Sequence, residues 1–332
     1  MQTSISIIIP VFNSEEFVKK SVKSIMTQSL SSMEIVLIDC RPQDKKEELL
    51  EQYAENDSRI KIICQENCGL AAARNSGLAA AKGLYVGFMD SEHWTECNMY
   101  EKLFNTAISN SSDVVLCNAS NEVLLEKNEA DLKESEVMNR SGILENICPK
   151  LLLQDTYSSV CDKIYLKSFL EENNISFNEG MLLKEDYLFN MDVFNFARKA
   201  VYLPENLCHY GDNPHSEMYH KDTLTTYTTL YQYKLKYSEL WGVNSQEIKE
   251  QMLCDFLVTV EASLQNLFDQ RNTDKFFQKT NYVYCIVNDP LVIKSIQEYK
   301  RLNTRCNKLD DKTIRLIGGK SIFGLSLKYN KK

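Results

Sequence analysis

The first 120 residues alternate between two kinds of segment, and this alternation limits the fold more than any other feature of the chain. Ile5 to Ile9 is a short β-branched run, and Ser14 to Gln28 then sets Phe17, Val18, Val22 and Ile25 at helical spacing. Glu34 to Ile38 reads as a buried strand, Lys45 to Ala54 as a helix and Ile60 to Cys64 as a third strand. Leu70 to Lys82 is an Ala-rich helix and Leu84 to Met89 a fourth strand. Strands alternating with helices require right-handed crossovers, hence an α/β fold with a mostly parallel sheet covered on both faces. In such sheets ligands bind beyond the carboxyl ends of the strands. That rule collects Pro10 to Asn13, Asp39 and Asp90 to Glu92 on one rim.

Past Leu103 the pattern changes. Val114 to Cys117 reads as one more strand, and Asn121 to Asn139 as a charge-rich loop or surface hairpin. From Asp222 to Tyr299, Tyr, Leu and Phe recur at three- and four-residue intervals, a helical pattern. The expected division is a domain over 1–220, with halves 1–118 and 119–220, followed by a mainly helical region over 221–332. The stretch Lys312 to Lys332 is basic and contains no Asp or Glu, with apolar Ile322, Phe323, Leu325 and Leu327 between its cations. Two readings stay open for it: a peripheral membrane contact, or an arm or strand packed on the protein or on a second subunit of a homodimer.

Composition removes several classes. A net charge of −8 argues against a nucleic-acid binder, which would carry a basic stripe. No apolar run approaches ~18 residues, and Met1 to Ser6 lacks the features of a signal peptide, so the expected location is the cytoplasm, with the inner face of the cell membrane as the alternative the basic tail leaves open. The eleven cysteines lack a disulfide-framework spacing and are expected as reduced thiols. The turn after the first strand, Pro10-Val11-Phe12-Asn13, is no GxGxxG, and no CxxC pair or GxSxG is present. Gly319-Lys320-Ser321 imitates the end of a phosphate loop without the first glycine or a leading strand.

What remains is a series of landmarks: SISIIIPVFNSEEFVKKSVKSIMTQSL from Ser4, EIVLID at 34–39, GLAAARNSG at 69–77, AAKGLYVGFMDSEHW to Trp94, and SVCDKIYLKSFLEENNISFNEGMLLKEDYLFN at 159–190. Taken in order, they resemble the family 2 glycosyltransferases over roughly residues 4–215. The resemblance implies a GT-A fold, a Rossmann-like, mostly parallel sheet flanked by helices. It also implies a nucleotide-sugar donor, UDP-linked, and a glycan, lipid-linked or protein-linked acceptor in bacterial surface polysaccharide synthesis.

The roles of residues follow from that resemblance. Asp39 would accept the imide N–H of uracil, or merely cap a strand-end turn. Pro10, Phe12 and Asn13 would shape the floor under the base, with Glu15 near the ribose, although Phe12 is equally a core residue. Arg74, amid Ala and Leu, needs a partner if it is buried, either a phosphate or Asp90; otherwise it sits on a solvated helix face. Asp90-Ser91-Glu92 stands at the family's Asp-x-Asp position, where Asp90 and Glu92 would hold Mn²⁺ or Mg²⁺ against the donor phosphates. His93 stands where a further Asp is common.

Glu185 and Asp186 match the family's Glu-Asp pair, with Asp186 as the base on the acceptor hydroxyl; acids at a helix start are also favoured by the helix dipole. Asp162-Lys163 would anchor the same wall. His209, His215 and His220 fall where a lid would lie, each more naturally structural or exposed, with His215 the best phosphate or metal candidate of the three. Two departures stand out: Glu92 for the usual second Asp, and Cys40-Arg41-Pro42-Gln43-Asp44 where the family has Asp-Gly-Ser-x-Asp. They keep a second reading open, a catalytically silent scaffold that binds nucleotide or a partner glycosyltransferase.

Overall fold

The structure is a computed structural model that describes residues 3–12, 15–40, 46–65, 69–121, 127–128, 135–154, 156–181, 183–211, 223–269, 272, 274–302 and 306–330. It divides into two compact units, Met1–Pro214 and His215–Lys332. Each is described by itself.

In the first unit, β1 (Ile5–Val11) is buried at all seven positions, as a parallel strand covered on both faces must be. It pairs in parallel with β2 (Met33–Asp39) on one side, Val11 opposite Asp39, and with β4 (Tyr85–Phe88) on the other, Ile8 opposite Phe88. β3 (Ile60–Cys64) extends the parallel set, with Cys64 opposite Asp39. The carboxyl ends of four strands therefore share one edge. Between them run α1 (Glu15–Met26), α2 (Lys46–Asn56) and α3 (Leu70–Ala80). The helix α3 lies close on β1 because Gly77 has no side chain; a Cβ there would come within 2.3 Å of Ile8 Cγ2.

The sheet continues in the order β3-β2-β1-β4-β9-β6-β10-β5. The strand β9 (Lys163–Leu166) runs antiparallel between β4 and β6 (Val114–Asn121), and β10 (Lys199–Tyr210) runs parallel to β6. The short β5 (Trp94–Thr95) closes that edge against β10, and α4 (Met99–Asn110) follows it. Within Asn121 to Asn139, expected as a loop or surface hairpin, β7 (Lys127–Asn128) pairs antiparallel with β6 as a hairpin, and β8 (Glu136–Asn139) pairs antiparallel with β10. After α5 (Arg140–Asn146), α6 (Cys148–Leu153) and α7 (Lys167–Glu172) comes α8 (Glu185–Phe196), which leads into β10. Among the described residues nine cysteines are free thiols, whereas Cys40, just past β2, is disulfide-bonded, which corrects the all-reduced expectation at that position.

The second unit is helical throughout its described residues: α9 (Thr223–Leu240), α10 (Gln246–Leu267), α11 (Phe276–Asn288), α12 (Pro290–Leu302), α13 (Asp311–Gly318) and α14 (Ile322–Tyr329). The tail is thus neither strand nor extended arm. Gly318 and Gly319 end α13 instead of breaking a longer helix, and α14 restarts after Ser321. A buried knot ties both helices to α10: Glu261 accepts from Thr313 Oγ1 and Tyr329 Oη, each at 3.1 Å, and from the Asp310 N–H at 3.0 Å. Lys328 closes the knot on Asp310 and Thr313. No described helix is long and apolar enough to cross a membrane.

Candidate active site

The parallel register carries β4 to its last residue, and the Met89 N–H still reaches the Ile8 carbonyl at 3.0 Å. Asp90 is the first residue beyond it. Its carbonyl accepts from Ser21 Oγ (3.2 Å) and from the His93 N–H (3.1 Å), so Asp90 to His93 is a tight turn with its opening side chain fixed. Ser91 is buried and Glu92 half-buried within that turn.

Arg74 lies on α3, one turn before Gly77, and is only 1% exposed. Its Nη2 donates to Asp90 Oδ1 at 2.6 Å and its Nη1 to Glu185 Oε1 at 2.7 Å. The Phe177 ring centre lies 5.2 Å from the guanidinium carbon. A buried guanidinium needs paired acceptors, and its planar fork suits two carboxylates. One arginine therefore joins the end of β4 to the start of α8, reaching an acid 111 residues further along the chain than itself. The solvated-face alternative is excluded. With both terminal nitrogens on carboxylates, the structure gives Arg74 a linking position between Asp90 and Glu185.

Asn75, for which the sequence pattern implies no role, holds the chain ahead of α8. Its Nδ2 donates to the Phe177 carbonyl and to Glu179 Oε1, each at 2.9 Å, and its Oδ1 accepts from the Phe177 N–H at 2.8 Å. Phe177 then stacks on Phe189 of α8, ring centres 4.2 Å apart. Lys184 enters α8 with φ of 64°, a conformation disfavoured for a side chain with a Cβ by roughly 1–2 kcal/mol. This turn delivers two acids in succession: Glu185, buried on Arg74, and Asp186, half-buried, whose Oδ1 accepts its neighbour's N–H from Tyr187 at 2.8 Å.

Three carboxylates thus surround one guanidinium, and their proton affinities separate. Burial raises Glu185 to about 7 despite the Arg74 ion pair. Burial also raises Asp186, against the pull of Arg74 and Lys184. For Asp90 the desolvation is outweighed by Arg74 and His93, and its carboxyl lies below the usual range. A raised carboxylate that is half-open is a better proton acceptor than an ordinary one; one held low by a cation stays an anion.

Among the described residues one group of three donors could hold a cation: Asp90, His93 and Cys161, whose ligand atoms lie within 4.8 Å of one another. The Gly211 N–H donates to His93 Nδ1 at 3.2 Å, so the neutral ring carries its proton on Nε2, which faces Asp90 Oδ2 at 4.0 Å. Burial lowers the His93 pKa, which keeps the ring neutral. In this tautomer His93 turns an N–H rather than a lone pair toward Asp90, at a distance beyond hydrogen-bond reach. Glu92, the expected second carboxylate ligand, is not one of that group. The sequence offered no signal for Cys161, which reaches Asp90 only because β9 inserts beside β4.

The other expected residues take their places along the rim. Pro10 lies opposite Ile38, Phe12 is half-buried just past β1, and Asp39 is buried at the end of β2, its carbonyl accepting the Gln65 N–H at 2.9 Å. Asn13, Arg41, Asp44, His215 and His220, and the side chain of Glu15, lie outside the described residues. Lys163 is wholly buried, its Nζ on Asp162 Oδ1 (2.6 Å) and the Ser159 carbonyl (2.8 Å), which anchors the chain that carries Cys161. His209 is structural: on β10 it pairs with Trp94 of β5, stacks on its ring, and bonds Ser120 Oγ and Glu96.

Residues 6–148 match the family described as Glycosyl transferase family 2. The uncharacterized glycosyltransferase EpsJ of Bacillus subtilis is 31% identical over 214 residues, 64% of this chain and 62% of its own length. The poly(ribitol-phosphate) beta-glucosyltransferase of Bacillus spizizenii is 26% identical over 211 residues, 59% of this chain. The chain spans only 30% of that protein and less than two thirds of EpsJ. In fold, the crystal structure of S. aureus TarS 1-349 in complex with UDP-GlcNAc superimposes over 99% of this chain and 91% of its own, with a TM-score of 0.67 at 19% identity. The fold is GT-A.

Proposed function

We propose that this chain, a member of glycosyl transferase family 2, transfers a sugar from a nucleotide donor to a glycan or glycoconjugate acceptor in the synthesis of a bacterial surface polysaccharide. The observation that carries the reading is the Arg74 bridge, which brings the donor-side Asp90 and the acceptor-side Glu185-Asp186 to one place on the strand rim. The donor is UDP-linked, a reading supported by Asp39 at the end of β2 and by the UDP-GlcNAc complex of a protein with the same fold. Pro10 and Phe12 line the base side of that rim. The acceptor is lipid-linked or protein-linked, and the reaction takes place in the cytoplasm.

Asp186 takes the proton from the acceptor hydroxyl as that oxygen bonds the anomeric carbon. The bond from that carbon to the donor phosphate breaks, the nucleoside diphosphate leaves with the electron pair, and one displacement inverts the configuration. Asp90 and Glu92 would hold a divalent Mn²⁺ or Mg²⁺, which offsets the charge of the leaving diphosphate when bound. Glu185 is a positioning residue: it is committed to Arg74 and sets the first turn of α8. The test is a panel of nucleotide-sugars scored for nucleotide release with and without Mn²⁺ or Mg²⁺. Metal-dependent release from a UDP-sugar is the expected result. Binding of UDP without release from any donor, even with acceptor glycans added, would sink the transferase reading in favour of a silent scaffold.

A further inference from the structure

The second unit carries an exposed aromatic face that its own core does not use. On α11, Phe276, Phe277 and Tyr284 are exposed, with Phe277 at 80%, while Val283, Ile286 and Val287 are buried. On α14, Phe323 is 73% exposed and Leu327 also exposed, while Leu325 and Tyr329 face inward. Phe277 and Tyr284 are seven residues apart and Phe323 and Leu327 four, so each pair lies along one helical stripe.

The two stripes belong to neighbouring helices. Lys320, at the start of α14, donates to Asn288 Oδ1 at the end of α11 (3.0 Å). At the other end, the Phe268 ring lies beside both Tyr329, the last residue of α14, and Lys279 in the first turns of α11. The helices are therefore antiparallel, and their outward stripes form one patch. Single exposed apolar residues are ordinary; five on two packed helices are not.

The charge around the patch is equally uneven. Residues 275–288 and 312–332 contain eight cations and no Asp or Glu, in a chain whose net charge is −8. Lys328 is spent on Asp310, but Lys275 and Lys320 are exposed at the two ends of the patch, and Lys312 and Arg315 are exposed on α13. The acid that follows α11, Asp289, is turned onto the start of α12, where its Oδ1 caps the Leu291 and Val292 N–H groups at 2.9 Å.

We infer that the outward face of α11 and α14 docks on an anionic lipid bilayer, with Phe277, Phe323, Tyr284 and Leu327 entering the headgroup boundary while Lys275 and Lys320 meet lipid phosphates. Aromatic and leucine side chains on two helices that contain no Asp or Glu, with lysines at their ends, match such a surface in both chemistry and sign. Membrane attachment here is a property of the second unit and stands independently of the sugar-transfer reading.

The test is flotation of the full chain with vesicles of phosphatidylglycerol and phosphatidylethanolamine, against vesicles of phosphatidylcholine alone. The intact chain floats with the anionic vesicles and is released by high salt. Phe277→Ser with Phe323→Ser lowers binding by about tenfold or more, since each loses apolar area from the boundary. Lys275→Glu with Lys320→Glu lowers it through charge alone, at an unchanged melting temperature. An intact chain that stays at the bottom, that floats equally on neutral vesicles, or whose variants float as well as the parent overturns the inference. So does a light-scattering mass showing a dimer that the Phe variants split, because the face would then belong to a second copy.

Discussion

Removing Arg74 while preserving its bulk, Arg74→Met, tests the bridge on which the site is built. The guanidinium is 1% exposed and bonds two carboxylates, one of them, Glu185, itself buried. Breaking a buried ion pair by deleting one partner typically costs about 3–5 kcal/mol, because the other charge is left in a poor solvent. For a unit of roughly 200 residues that is about 6–20 °C of melting temperature.

The pH dependence gives a sharper readout. Glu185 has a folded pKa of about 7, above its ordinary 4.5, so between those values the folded state holds a proton that the unfolded chain releases. Stability from this group is full below pH 4.5 and falls as pH rises through 7. Asp90, held low, acts in the opposite sense: its contribution is present above its unfolded pKa and lost on acidification. In Arg74→Met, Glu185 rises further. The mutational loss is therefore largest near pH 8 and smaller, by roughly 1–2 kcal/mol, near pH 5, where Glu185 is protonated with or without Arg74. Adding Glu185→Leu removes the stranded acid and recovers about half of the loss or more. Thermal melts of the parent, the single and the double variant at pH 5 and pH 8 check all three statements. A single variant that melts within about a degree of the parent, or a double variant whose losses simply add, refutes the account.

Two further outcomes concern the chemistry. Asp186→Asn keeps the shape of the α8 turn but takes no proton, so transfer falls on the order of 10²-fold or more while UDP affinity, read by calorimetry, is unchanged; full turnover at saturating acceptor would remove Asp186 from the mechanism. Glu92→Gln weakens the metal-dependent part of UDP binding at least about tenfold in the same titration; equal metal dependence in the variant would move the cation elsewhere.

The first half of the fold was legible because each of its elements announces itself locally. The β-branched runs of β1, β2 and β3 and the apolar spacing of α1 and α3 lie within a residue or two of the expected limits. The strands β9 and β10 were not visible. Four residues, Lys163 to Leu166, are too few to show a period, and β10 carries Pro204 amid Glu and Asn, where its pairing with β6 shifts register. The helical tail was obscured by Gly318, Gly319 and Gly324, two of which close α13 while the third is absorbed within α14.

Arg74 marks the boundary between what a sequence states and what only topology decides. An arginine between alanines on a helix that also carries Gly77 could be read as buried and in need of an acid, since an unpaired guanidinium is too costly to bury. Asp90 was in reach of that reasoning, because α3 and β4 are consecutive and their ends are adjacent by the crossover rule. Glu185 was not, because nothing local links residue 74 to residue 185. Their meeting depends on β9 inserting antiparallel beside β4 and on Asn75 fastening the chain at Phe177 just before α8 begins. The same insertion brings Cys161 to Asp90, and the strand β10 brings the Gly211 N–H that sets the tautomer of His93. The residues that carry chemistry stand at strand and helix ends that local pattern can find. The residues that set their charge arrive from strands too short or too irregular to be read in advance.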